Sequence, residues 1–113
     1  MYAKDLIAAR DGNGSVRISE TRLFSTPTGV NKGFLTPDMI VMTDMEGQKQ
    51  KGGRWNPSSE LKMHLGVYAA RPDVCAVVHA HAPHAVAFTL ARVALATPLI
   101  PEVVATLGEI PTI

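Results

Sequence analysis

The stretch Ala76-Val77-Val78-His79-Ala80-His81-Ala82-Pro83-His84 constrains this chain more than any other. A short apolar β-branched run, with Asp73 before it and Pro83 after it, predicts a buried strand that delivers two histidines at its end. Side chains alternate across a strand, so His79 and His81 project to one side and Ala80 to the other. Alternate Cα atoms lie roughly 6.5 to 7 Å apart, which lets two imidazoles converge on one divalent ion such as zinc. The competing explanation is a pair of half-buried histidines at a strand end, because His-x-His is common by chance. Ala80 leaves the opposite face uncrowded, and Pro83 stops the ladder beyond the pair, opening the strand end for a site. A tetrahedral catalytic site needs a third protein ligand, which must come from elsewhere in the chain.

The remaining bulk properties narrow the class. At 113 residues the chain is at most one modest domain, and 46% hydrophobic with 19% charged residues is a globular composition. A net charge of +1 without any basic block gives no reason to expect nucleic acid or a membrane surface as partner. The single cysteine, Cys75, sits among apolar residues, cannot form an internal disulfide and fits a reducing cytosol. Apolar runs are broken by Arg, Pro or Thr before a membrane-spanning length, and the N-terminus lacks a signal-peptide pattern. A soluble, cytoplasmic chain is the expectation.

In chain order, Met1 to Ala9 reads as the tail of a longer helix. Arg10 to Ser15 predicts a tight polar loop, either an anion-wrapping loop or an ordinary helix-to-strand turn. Val16 to Ser19 and Leu23 to Ser25 form a predicted hairpin, followed by a Pro/Gly turn over Thr26-Pro27-Thr28-Gly29. Met39 to Met42 is a third strand, Asp44 to Gln48 a surface turn, and Lys49 to Asn56 a loop. Asn56 as N-cap and Pro57 at the first helical position predict a helix to about Ala70, with Leu61, Leu65 and Tyr68 as its apolar stripe. Ser58 and Ser59 then sit in the first turn, where free N–H groups and the helix dipole attract an anion. Glu60 lies in that turn with His64 on its face, and a first-turn carboxylate also has a purely helix-stabilising explanation. His64 and His84 read as packing or surface histidines rather than ligands. Helix and histidine strand are joined by a short turn, so they are expected to pack as neighbours. His84 to Arg92 predicts a buried helix, Ala94 to Pro98 a connection or short strand, and Pro101 to Leu107 helix or strand.

Four motifs, in order and in register, resemble the class II aldolase/adducin family: Asp11-Gly12-Asn13-Gly14-Ser15-Val16-Arg17, Ser25-Thr26-Pro27-Thr28-Gly29, Pro57-Ser58-Ser59-Glu60 and His79-Ala80-His81. The resemblance implies a three-layer α/β/α sandwich around a mainly antiparallel sheet, in one domain over residues 1–113. It also implies a homotetramer with active sites between subunits. It makes His79 and His81 zinc ligands, and Glu60 both a group able to touch the metal and the proton-transferring acid/base. Asn13, Thr28, Gly29, Ser58 and Ser59 align with positions that hold the substrate phosphate. The implied reaction is cleavage of a ketose phosphate, such as L-fuculose 1-phosphate, to dihydroxyacetone phosphate and an aldehyde. Epimerases, dehydratases and decarboxylases share the metal site, and adducins keep the fold without the chemistry.

Two departures matter. The family's third histidine ligand lies some tens of residues beyond His81, whereas no histidine follows His84, and the family's long N-terminal helix is reduced to the tail at Met1, so the expectation is a chain truncated at both ends with weak metal binding. Arg10 stands where the phosphate-binding aldolases carry a threonine, which alters the anion site.

Overall fold

The computed structural model describes residues 1–50, 52–94, 100–108 and 110–111. Two compact units divide the chain, Met1–His81 and Ala82–Ile113. The first contains a four-stranded antiparallel sheet of order β3-β2-β1-β4, with β1 at Asn13–Arg17, β2 at Arg22–Ser25, β3 at Val41–Asp44 and β4 at Ala76–His79. Helix α1, Leu61–Ala70, follows the strand β3. The second unit contains helices α2, Pro83–Ala91, and α3, Pro101–Thr106, both opened by a proline whose missing N–H costs nothing at a first turn.

Period-two alternation sorts the sheet into two faces. Leu23 of β2 is fully buried and packs with Leu61 and Tyr68 of α1, and Val74 and Val77 join them, which fixes α1 against β4 as expected. Asn13, Ser15, Ser25, Val41 and Thr43 are also buried, so the row beneath the helix is largely polar. Val16, Phe24 and Val78, on the alternate positions, are exposed. Only Ser15 of this row is satisfied through α1, its Oγ lying 2.7 Å from His64 Nδ1 and 2.8 Å from Tyr68 Oη; Ser25 donates to the Thr26 carbonyl, and Thr43 Oγ1 has no partner among the described residues. Arg17 donates to the Tyr68 carbonyl at 2.8 Å and to the Pro72 carbonyl at 3.2 Å, with its guanidinium 4.7 Å above the Tyr68 ring. A cation is thereby placed on the otherwise unpaired carbonyls at the helix C-terminus.

Several expectations are corrected. The polar loop over Arg10 to Ser15 ends at Gly12, because Asn13-Gly14-Ser15 is held between two strands, pairing with His79-Val78-Val77 on one side and at Ser15↔Ser25 on the other. Tertiary pairing overrides the turn propensity of Asn and Gly. Strand β4 is not buried: it forms the sheet edge, and its outward Val78 is 66% exposed. It also ends at His79, while Pro83 opens α2 rather than stopping the ladder. Cys75 is exposed. The third strand starts at Val41, since Pro37–Met39 makes a 3-10 turn with Pro37 at its first position. At the N-terminus a 3-10 turn, Tyr2–Lys4, closes on Asp5 in the left-handed region in place of a helix tail. α2 has no buried residue, contrary to the buried helix expected from its composition. Pro101–Thr106 resolves as helix, and the predicted connection at Ala94 to Pro98 falls largely outside the described residues.

Gly12 is indispensable on two counts. Its φ of +65° lies in the region that L side chains avoid, and a Cβ there would stand 2.4 Å from Ile7 Cγ2 and 2.9 Å from the His79 carbonyl. Gly12→Ala is expected to destabilise the chain by about 2 kcal/mol or more, from backbone strain plus the clash. Urea denaturation checks this, and an unchanged midpoint contradicts it.

Candidate active site

Helix α1 does not begin at Pro57. The Thr28 amide donates to the Asn56 carbonyl and the Ser58 amide to the Thr26 carbonyl, both at 3.0 Å, so residues 26–28 and 56–58 form a short antiparallel ladder centred on Pro27↔Pro57. Each proline sits where its absent N–H removes no bond from the ladder. Asn56 and Pro57 are therefore extended, and Ser58 and Ser59 precede the helix instead of occupying its first turn. The ladder brings Thr28 and Gly29 beside Ser58 and Ser59. Gly29 completes the turn at φ +71°, and nothing lies within 4 Å of where its Cβ would stand.

Glu60 is the N-cap of α1, yet its side chain makes no capping hydrogen bond; Ser58 Oγ instead accepts from the Glu60 amide at 3.2 Å. The carboxylate turns to the sheet. Its Oε2 accepts a hydrogen bond from Asn13 Nδ2 and lies 2.7 Å from His79 Nδ1. The purely helix-stabilising account of Glu60 thus does not describe where its charge goes. His64, expected on the same face, is buried and directed at Ser15.

His79 is paired directly with Asn13 across the β1–β4 ladder, which puts Asn13 Nδ2 3.3 Å from His79 Nδ1. That ring nitrogen donates to Glu60 when protonated and accepts from Asn13 when not, so its tautomer selects between two neighbours. His81 follows the strand end, with its ring centroid 4.8 Å from that of His79. One ligand atom each from Glu60, His79 and His81 lies within 4.8 Å of the others. A carboxylate oxygen and two imidazole nitrogens match the donor chemistry of zinc and similar divalent ions, and three protein ligands leave a position open. Burial pushes the Glu60 carboxyl up, but the hydrogen bonds from His79 and Asn13 and the charges of His79 and His81 outweigh it and hold the group below its ordinary value. The group is ionised at neutral pH, as a ligand or proton acceptor must be.

Beside these residues opens a pocket of about 140 Å³ lined by Asn13, Thr28, Gly29, Ser58, Ser59, Glu60 and His81. Every residue assigned from sequence to substrate, together with Glu60 and His81, therefore faces one space, and His79 adjoins it through Glu60. Asn13, expected at the phosphate, lines the pocket and also donates to the Glu60 carboxylate. Arg10, Asp11, Gly12 and Lys32 complete the lining; Asp11 belongs to the first family motif without a role assigned to it, and Lys32 lies in no motif.

A mainly antiparallel sheet whose edge strand ends on one histidine with a second just beyond it, met by a carboxylate at a helix start and a hydroxyl-lined pocket, is an α/β arrangement of the class II aldolase type with a possible metal site. Comparison with known proteins agrees: the family described as Class II Aldolase and Adducin N-terminal domain matches residues 1–113, and the chain belongs to it. An L-fuculose phosphate aldolase of Methanococcus maripaludis is 37% identical over 89 residues, covering 79% of this chain and 47% of that protein. A methylthioribulose-1-phosphate dehydratase of Pseudomonas savastanoi is 38% identical over 85 residues, covering 75% and 41%. The crystal structure of an L-fuculose-1-phosphate aldolase from Thermus thermophilus superposes with a TM-score of 0.78 at 35% identity, covering 97% of this chain and 55% of that one. The chain spans about half the length of the relatives it matches. Among the described residues no helix is long and apolar enough to cross a membrane.

Proposed function

We propose that this chain carries the metal and phosphate half of a zinc-dependent lyase that cleaves a ketose 1-phosphate, such as L-fuculose 1-phosphate, to dihydroxyacetone phosphate and an aldehyde. The observation that carries the reading is the convergence of Glu60, His79 and His81 at the mouth of a pocket lined by hydroxyls and backbone. Glu60, His79 and His81 would hold a divalent ion, which would supply Lewis acidity toward a carbonyl and the hydroxyl beside it. Glu60 is ionised and sits at the pocket, so it is the group that takes up and returns the proton at the carbon next to the carbonyl. Asn13 holds the carboxylate in place. Thr28, Gly29, Ser58 and Ser59 bind the phosphate and so fix the reacting carbon relative to Glu60. The active form in this reading is a cytoplasmic homotetramer with active sites between subunits.

A dehydratase acting on a related sugar phosphate is the second reading, supported by the 38% identity to the methylthioribulose-1-phosphate enzyme. Epimerase and decarboxylase readings rest on the family alone. An adducin-like scaffold has no use for a carboxylate drawn off its helix toward two histidines.

The half-reaction tests the proposal without an aldehyde. Zinc-loaded protein in D2O is expected to exchange a carbon-bound proton of dihydroxyacetone phosphate, followed by NMR, and Glu60→Gln is expected to slow exchange by about a hundredfold or more. Exchange that survives Glu60→Gln at the original rate refutes the role given to this residue.

A further inference from the structure

The sequence motifs assign the pocket only neutral donors for an anion, yet the structure adds a lysine that none of those motifs contains. After Gly29 reverses the chain, Asn31 caps a 3-10 turn, Lys32–Phe34, its side chain accepting from the Gly33 amide at 2.9 Å. Lys32 opens that turn and lines the same pocket as Thr28, Gly29, Ser58 and Ser59. Its Nζ donates to the Arg10 carbonyl at 2.5 Å. An ammonium has three donors, and among the described residues this one forms no ion pair, although Asp11 and Glu60 share the pocket.

We infer that Lys32 is the charged anchor for the substrate's phosphate dianion, a specificity-determining residue of this pocket; the inference rests on the reading above that the pocket takes a sugar phosphate. Charge balance is the argument. Arg10 and Lys32 face two carboxylates, Asp11 and Glu60, around the pocket. In the zinc-free protein, removing Lys32 leaves a net negative lining, which repels the dianion that the hydroxyls and amides are arranged to hold; with a divalent ion bound at Glu60, the lysine adds to the attraction at the phosphate end of the pocket. A lysine serves here as a point charge with donors to spare, complementing neutral donors that carry direction without charge. Partial burial pushes the Lys32 ammonium down, while Asp11 and Glu60 pull it back up. A bound dianion adds to that pull and keeps it charged. A neutral sugar gains nothing from such a group, and a monoanionic carboxylate gains less.

Inorganic phosphate titrated into the zinc-free protein, with the amide resonances of Gly29 and Ser59 followed by NMR, tests the inference. Lys32→Met is expected to weaken phosphate binding about tenfold or more, and Lys32→Arg to restore most of it. Lys49→Met, which removes a lysine whose Nζ serves the Gly53 carbonyl away from the pocket, is expected to change nothing. Acetate at equal ionic strength is expected to bind more weakly than phosphate. Phosphate binding that is unchanged in Lys32→Met but lost in a Ser58→Ala/Ser59→Ala variant overturns the role of Lys32 and leaves the phosphate pocket standing. Wild-type protein whose Gly29 and Ser59 resonances ignore phosphate overturns both.

Discussion

Replacing His79 and His81 together with alanine is expected to abolish stoichiometric uptake of zinc or cobalt. In a tetrahedral zinc site with bonds of about 2.0 to 2.1 Å, ligand atoms stand roughly 3.4 Å apart. The 4.8 Å limit among Glu60, His79 and His81 therefore asks for an inward movement of about 1 Å. Exposure permits it: the His79 side chain is 26% and the Glu60 side chain 45% accessible, and His81 lies beyond the last strand residue. If a full set of four ligands is worth about 10 to 16 kcal/mol, each contributes roughly 3 kcal/mol, or about a hundredfold in affinity. Losing two of the three proposed ligands then lowers affinity about ten-thousandfold. Cobalt absorption and elemental analysis of the purified proteins measure this. Retention of one metal per chain in the double variant means the ion binds elsewhere.

The second large effect concerns the buried polar row under α1. His64 is 1% exposed, its Nδ1 bonded to Ser15 Oγ, its Nε2 without a partner among the described residues. His64→Ala is expected to cost about 2 to 4 kcal/mol, because it opens a cavity and strips a hydrogen bond from Ser15 inside the core. The same burial, reinforced by the charge of His79 and only partly opposed by Glu60, pushes the His64 imidazole below its ordinary value. The sign follows from linkage: the unfolded chain takes up the proton first, so the stability from a neutral His64 is intact above about pH 6.5 and declines as pH falls below it. The loss approaches about 1.4 kcal/mol per pH unit for one proton. Urea denaturation at pH 7.5 and 5.5 is expected to show a smaller acid-induced loss in His64→Gln than in the wild type. An equal loss in both proteins assigns the acid sensitivity to other groups.

These two results bear on one arrangement. The Ser15, His64 and Tyr68 cluster ties β1 to α1, and these are the elements that bring Asn13 and Glu60 to His79. The polar core is therefore the rigid support of the site: loosening it changes the distance between a carboxylate carried by a helix start and an imidazole carried by a strand.

Local chemistry was readable in advance. The hairpin and the α1 stripe of Leu61, Leu65 and Tyr68 follow from periodicities of about 2 and 3.6, which any one segment displays by itself; the two histidines converge as expected, but with His81 beyond the strand end and not by strand alternation. The four motifs specified the family, and with it the antiparallel sheet. What failed were judgements that depended on distant partners. Asn56-Pro57 is a sound helix start until Thr26 and Thr28 take its backbone bonds. Asn13-Gly14-Ser15 looks like a loop until β2 and β4 lie on either side of it. β4 looks buried because Val77 and Val78 are apolar, but apolar residues at an edge strand are covered only by what packs on each face.

The sequence by itself determined which donors exist: two imidazoles two positions apart, a carboxylate after two serines, and glycines where the chain must turn through positive φ. Only the tertiary structure decided that Glu60 leaves its helix for Asn13 and His79, and that Lys32 stands in the same pocket as Ser59. The reason is physical. Propensity and periodicity act over a few residues, whereas the Asn13↔His79 register and the Pro27↔Pro57 bridge join positions far apart in sequence, and a charge acts on whatever the fold places beside it.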